Sequence, residues 1–145
     1  MTDPQSLPMT ELVRRAVLSM PIAQTLGLRF TRVEPGEVAL EIPVVEALCF
    51  RPGQAQAPAI FAAADFAAIG VAGTLLPPGS ANAMIDATIK LVAPAQGSHL
   101  IARGRVVKAG KSLSVCAADV FAVENGAETL CATTLASASN YSLPR

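Results

Sequence analysis

Apolar and polar positions change rhythm several times along this chain, and each change marks an element. Residues 1–9 carry two prolines and no period, a loose start to a single domain spanning 1–145. From Thr10 to Met20 the residues Leu12, Val13, Ala16, Val17 and Met20 recur at helical spacing. Pro21 interrupts that helix, and Ala23 to Leu26 add a turn before Gly27 stops it. Leu28–Val33 and Glu37–Val44 read as strands, joined by Glu34-Pro35-Gly36 into a hairpin. A loop from Glu46 to Ala57 follows, with Pro52 and Gly53 inside it.

The pattern then loses all alternation. PAIFAAADFAAIGVAGTLL is alanine-rich, opens with Pro58 in a first-turn position and stops before Pro77-Pro78-Gly79. Its eighteen or nineteen residues predict a helix of about 27 Å. Apolar nearly all round, such a helix must be covered on most sides. Strands fill the rest: Met84–Val92, His99–Ala109, Ser112–Val123 after the Gly110-Lys111 turn, and Glu128–Ala138 after Asn125-Gly126. We expect these four to form an antiparallel meander. One apolar helix and one sheet predict an α+β architecture, the sheet curling around the helix. The exposed sheet face and edge then call for a partner chain.

Composition narrows the class. Eleven Lys and Arg balance eleven Asp and Glu, which argues against a nucleic-acid partner. Apolar residues make up 52% and charged residues 15%, poor in charge for a monomer in water. Three scattered cysteines (Cys49, Cys116, Cys131) and the single His99 give no metal-ligand spacing, so no metal is expected. The cysteines read as small buried hydrophobes in a reducing compartment. The N-terminus lacks the basic-then-apolar pattern of a secretory signal. Ala57–Leu76 alone resembles a membrane span, but it carries Asp65, which at a bilayer centre costs about 2.5–3.5 kcal/mol. No membrane association is expected, and a cytoplasmic enzyme or binding protein is.

Asp65 is the only charged residue between Arg51 and Asp86. Inside an alanine-rich helix a carboxylate finds few partners, and desolvation raises its pKa, as suits a general base or nucleophile. The plainer reading is an acid that faces a solvent channel or pairs with an arginine across a subunit contact. The helix start is the second candidate, because free N–H groups and the helix dipole favour developing negative charge. Pro58 has no N–H, which leaves Ala57, Ala59 and Ile60 as the expected donors. Gln56 offers a side-chain amide to the same point, or serves as an ordinary loop residue. His99 is expected to face solvent, and without a G-x-S-x-G motif a serine hydrolase is discarded.

The order of elements, the run from Gly53 to Asp65, the strand Ile85–Ala95 ending in a proline-alanine pair and the hairpin Val106–Val115 together resemble one family. It is the hot-dog fold, in particular the small acyl-CoA thioesterases of the phenylacetate-degradation type. The likeness runs from about Pro21 to Ser137. In that family the segment typically reads G-x-x-H-G-G, then six residues of any kind, then an acid, and here Gly53 and Asp65 keep the frame. Gln56 stands at the usual histidine, and Ala57 and Pro58 at the two glycines. Phe50 replaces a frequent asparagine or aspartate, and Met84 an occasional serine or threonine. The resemblance implies thioester hydrolysis, with Asp65 as base or nucleophile and Gln56 and Ala57 beside the carbonyl oxygen. It also implies that Lys108 and Lys111 lie near the phosphates of coenzyme A, although hairpin lysines are commonly just solvated. Phe50 and Met84 line an acyl pocket or simply pack the core. Coenzyme A enters only as part of the substrate, so no separate cofactor is expected.

Ala57 and Asp65 are eight residues apart, about 12 Å along one helix, so one thioester carbon cannot touch both. Two chains related by a two-fold axis solve this, and the resemblance implies the same: a homodimer, or a dimer of such dimers. The alternative is a non-catalytic hot-dog protein that binds an acyl thioester or acts as an assembly partner, favoured by the lost His-Gly-Gly triplet. A dehydratase pairing histidine with acid ranks last, since no histidine lies near Asp65 in sequence.

Overall fold

The computed structural model describes residues 7–145, so most of the loose start expected over residues 1–9 lies outside the described residues. Helix α1 is Met9–Leu18 and α2 is Pro21–Leu26. Gly27 ends α2 with φ 66°, a left-handed cap that side-chain-bearing residues resist. Strands β1 (Arg29–Glu34) and β2 (Glu37–Pro43) form the expected hairpin. The expected loop is more ordered than that. A single 3-10 turn, Glu46–Leu48, leads into a small hairpin of β3 (Cys49–Arg51) and β4 (Gln54–Ala55).

Helix α3 is Ala57–Gly73, with eleven of its seventeen residues buried. Alanine supplies the propensity, and Pro58 suits the first turn. The helix stops three residues short of the expected Leu76. Thr74 Oγ1 donates to Val71 O at 2.6 Å, and Leu75 and Leu76 make tightened i to i−3 bonds before Pro77.

Four long strands follow: β5 (Ser80–Leu91), β6 (His99–Ala109), β7 (Leu113–Glu124) and β8 (Ala127–Ser142). They are not a four-strand meander. The sheet order is β1-β2-β6-β7-β8-β5, every pair antiparallel. Only β6, β7 and β8 run as a meander, while β5 lies at the far edge against β8. No hairpin turn joins β5 to β6. Instead the segment 92–98 crosses the sheet's open end: Val92 N–H donates to Cys131 O at 2.9 Å and Ser98 N–H to Val123 O at 2.8 Å. On the way Ala95 O accepts from Ala55 N–H, and Gly97 N–H donates to Gly53 O, both at 3.0 Å. The crossover thus holds the small hairpin that leads into α3.

The sheet curls around α3, giving the α+β hot-dog arrangement. Its core is aliphatic, centred on Leu40, Ile42, Val71, Leu100 and Val120. Gly104 in β6 lets the helix come close, since a Cβ there would stand 2.3 Å from Ala67 O. Cys116 and Cys131 are buried as expected, but Cys49 is only half-buried at the start of β3, and all three thiols are free. Edge strand β1 is blunted by a bulge and by Arg32, which pairs with Glu34 and Glu37 at 2.9 and 2.7 Å. The other edge, β5, is long and exposes Ile85 and Leu91. Among the described residues no helix is long and apolar enough to cross a membrane.

Candidate active site

Asp65 sits midway along α3, half-buried, with the fully buried Ala64 and Ala68 on its sheet side. It lines a cavity of about 1190 Å³ between α1, α3, the first half of β5 and the C-terminal segment. Burial pushes the Asp65 carboxyl above its ordinary range. Below it on β7 lies Cys116, whose thiol is raised to about 11 by burial first and by the nearby Asp65 charge second. That pKa makes the thiol inert at neutral pH. Met84 lines the same cavity, so this expected substrate contact and the acid come together.

The start of α3 is elsewhere. Gln56 is its N-cap residue, and Gln56 N–H is tied to Leu48 O at 2.8 Å. Of the three amides expected to be free, two are spent: Ala59 and Ile60 both donate to Gln56 O, at 3.0 and 3.3 Å. A cap carbonyl takes the first helical bonds, so only the Ala57 N–H is left without an acceptor among the described residues. Ala57 and the Gln56 side chain are both exposed, and neither lines the Asp65 cavity. One chain therefore holds the two halves of the expected constellation apart, about 12 Å along one helix.

Phe50 does not join Met84. It is 51% exposed on a separate hollow of about 540 Å³, with the Arg51 guanidinium 4.9 Å from its ring centre. Lys108 and Lys111 are exposed on either side of the β6–β7 turn. Asn140 fixes that turn, its Nδ2 donating to Gly110 O and to Ser114 Oγ, both at 2.9 Å. Asn140 faces Asn82 across the β8–β5 ladder, so the turn lies at the end of the sheet where β5 lines the cavity. His99 is partly exposed at the start of β6, its Nδ1 2.9 Å from Ser98 Oγ. Among the described residues no group of three or more His, Cys, Asp or Glu side chains is placed to hold a metal.

Sequence reasoning missed Asn82, Asn140 and the α1 wall of the cavity. Leu12 and Ala16 carried the signal, an apolar stripe on a helix whose partner was not legible.

The model of the thioesterase superfamily matches residues 57–129, which cover α3 and most of the sheet. This chain belongs to the thioesterase superfamily. Among solved structures it is similar to a thioesterase family protein from Silicibacter pomeroyi, 28% identical, with 92% of this chain and 98% of that chain covered and a TM-score of 0.89. A thioesterase from Haemophilus influenzae shares the fold at 17% identity, with 97% and 94% covered and a TM-score of 0.79. So does the PaaI protein from the phenylacetic acid degradation operon of E. coli, at 16% identity, 94% and 97% coverage and a TM-score of 0.80. No curated protein matches the sequence.

Proposed function

We propose that the chain is an acyl-CoA thioesterase, with Asp65 as the general base or nucleophile at a site shared by two copies. The observation that carries this reading is Asp65 itself: the lone acid of an apolar helix, desolvated, opening onto an apolar cavity in a thioesterase-superfamily chain. Desolvation keeps such a carboxylate reactive, since little water competes for its lone pairs. Across a two-fold axis along the free edge of β5, Asp65 of one chain meets the helix start of the other. There the partner's Ala57 N–H and Gln56 amide polarise the thioester carbonyl, and negative charge grows on its oxygen as water or Asp65 attacks. The carbon–sulfur bond breaks and coenzyme A leaves as a thiolate, its phosphates met by Lys108 and Lys111. The acyl group departs as the free acid, directly where water attacks and passes its proton to Asp65, or after water hydrolyses the mixed anhydride where Asp65 itself attacks. Reduced thiols suit a cytoplasmic setting.

A second reading has its own support. With Ala59 and Ile60 spent and Pro58 lacking an N–H, one backbone donor is left at the helix start, which favours a protein that binds an acyl thioester without cleaving it. Thiol release from a panel of acyl-CoAs, by the parent and by Asp65→Asn, separates the two. The hydrolase reading requires release by the parent and its loss in the variant. No release from any thioester leaves the binding reading standing.

A further inference from the structure

We infer that the outer face of the sheet, centred on β7 and β8, is a self-association surface that takes a second copy of this chain, with Asp119 of each copy paired to Arg105 of the other. The inference depends neither on the hydrolase reading nor on pairing along the β5 edge.

The sequence of β7 departs from what a strand with one wet face needs. Its core-facing positions, Ser114, Cys116, Ala118, Val120 and Ala122, are all buried. The alternate positions point away from α3, and they too are apolar except for one acid: Leu113, Val115, Ala117, Asp119 and Phe121. A strand apolar on both sides is the pattern of a sheet covered on both faces. The described residues do not supply that second cover. Leu113 is 44% exposed, and on neighbouring β8 Leu130 and Leu135 are 40% and 53% exposed.

The charges on this face say what fits it. Asp119 lies half-buried in its middle, where Thr133 Oγ1 donates to it at 2.7 Å. Arg103 stands opposite it in the ladder but is spent on Glu128, whose two oxygens it binds at 2.7 and 2.9 Å. Among the described residues Asp119 has no ion pair. Neither has Arg105, one rung along on β6, because Glu37 across from it is taken by Arg32 at 2.7 Å.

One patch thus holds an unpaired acid and an unpaired base side by side, as a two-fold contact between identical faces requires. Such an axis runs across the strands at Ala118, between the two rungs, with the sheets about 10 Å apart. Each Asp119 then stands over the partner's Ala117, one strand away from the partner's Arg105, and Phe121 meets the partner's Val115. Because the sheet curls around α3, its outer face is convex and only the middle strands touch. Three strands over the length from Leu113 to Phe121 present about 400 Å² per copy. That is half the roughly 800 Å² per partner of a stable complex, so the pairing is weak, in the range of about 100 µM.

Sedimentation velocity from about 5 to 500 µM brackets that range and tests the surface. The weight-average mass of the parent should double between the two ends. Leu135→Glu and Leu113→Glu, both at exposed positions, should keep the low-concentration mass throughout while melting as the parent does. Asp119→Arg and Arg105→Asp should each abolish the doubling, and the two together should restore it. No doubling by the parent, or undiminished doubling in both leucine variants, overturns the surface. Doubling that survives either single charge reversal, or that fails to return in the combined variant, overturns the Asp119–Arg105 pairing.

Discussion

Asp65→Asn keeps the shape of the side chain and removes its charge and basicity. Loss of a positioned base should lower thiol release by about a hundred- to ten-thousand-fold, measured at saturating and limiting substrate. The same change has a stability signature with a definite sign. Burial raises the carboxyl's pKa in the folded state, so the charged form is the disfavoured one. The stability this group supplies is complete below the unfolded pKa and is lost as pH rises through the folded one. The asparagine variant should therefore melt higher than the parent at neutral pH, and the gap should close below the ordinary aspartate range. A variant that melts lower at neutral pH would mean that Asp65 is a paired structural acid. Activity in the parent should climb with pH through the raised pKa, since the base must be ionised. The cysteines give a second check. Cys116 and Cys131, both raised to about 11, should ignore a thiol reagent in the native protein, while half-buried Cys49 reacts. Counting labelled thiols by mass before and after unfolding reads this directly.

Among the elements, α3 and β6 approach each other closely at Gly104, where the contact can be probed. Gly104→Ala puts a Cβ 2.3 Å from the Ala67 carbonyl, backbone against backbone, so the helix must shift. A cost of about 1–3 kcal/mol is expected, read from denaturant midpoints at constant m-value. The helix and strand that meet there were legible in the sequence, because their signals are local. Pro58 and the alanine run mark α3, and alternation bounded by Gly97 and Gly110 marks β6, His99–Ala109. The position of β5 was not, since Thr88 pairs with Leu135 and no local pattern encodes so distant a neighbour. The same limit governs the site. Asp65 stood out as a lone charge, and Met84 joined it, but Phe50 went to a different hollow because the β3–β4 hairpin points it outward. The spent amides of Ala59 and Ile60 follow from helix geometry alone, and the cap carbonyl of Gln56 was the signal.

At the scale of the whole molecule, the unprotected edge of β5 and the separation of Ala57 from Asp65 lead to the same expectation. The chain should sediment as a dimer at micromolar concentration. Ile85→Lys, at a 59% exposed edge position, should yield monomers and lose activity in parallel, as charge on an edge opposes pairing. Monomers with full activity would rule out a shared site. The place of β5 has a further consequence, for synthesis. Among the described residues its sole neighbour in the sheet is β8, which follows it in the chain after β6 and β7, and chains emerge at about 5–20 residues per second. Until β8 emerges, seconds after β5, the β5 edge has no sheet partner. A stop codon placed before β8 would remove the strand that anchors β5, and with it one wall of the Asp65 cavity.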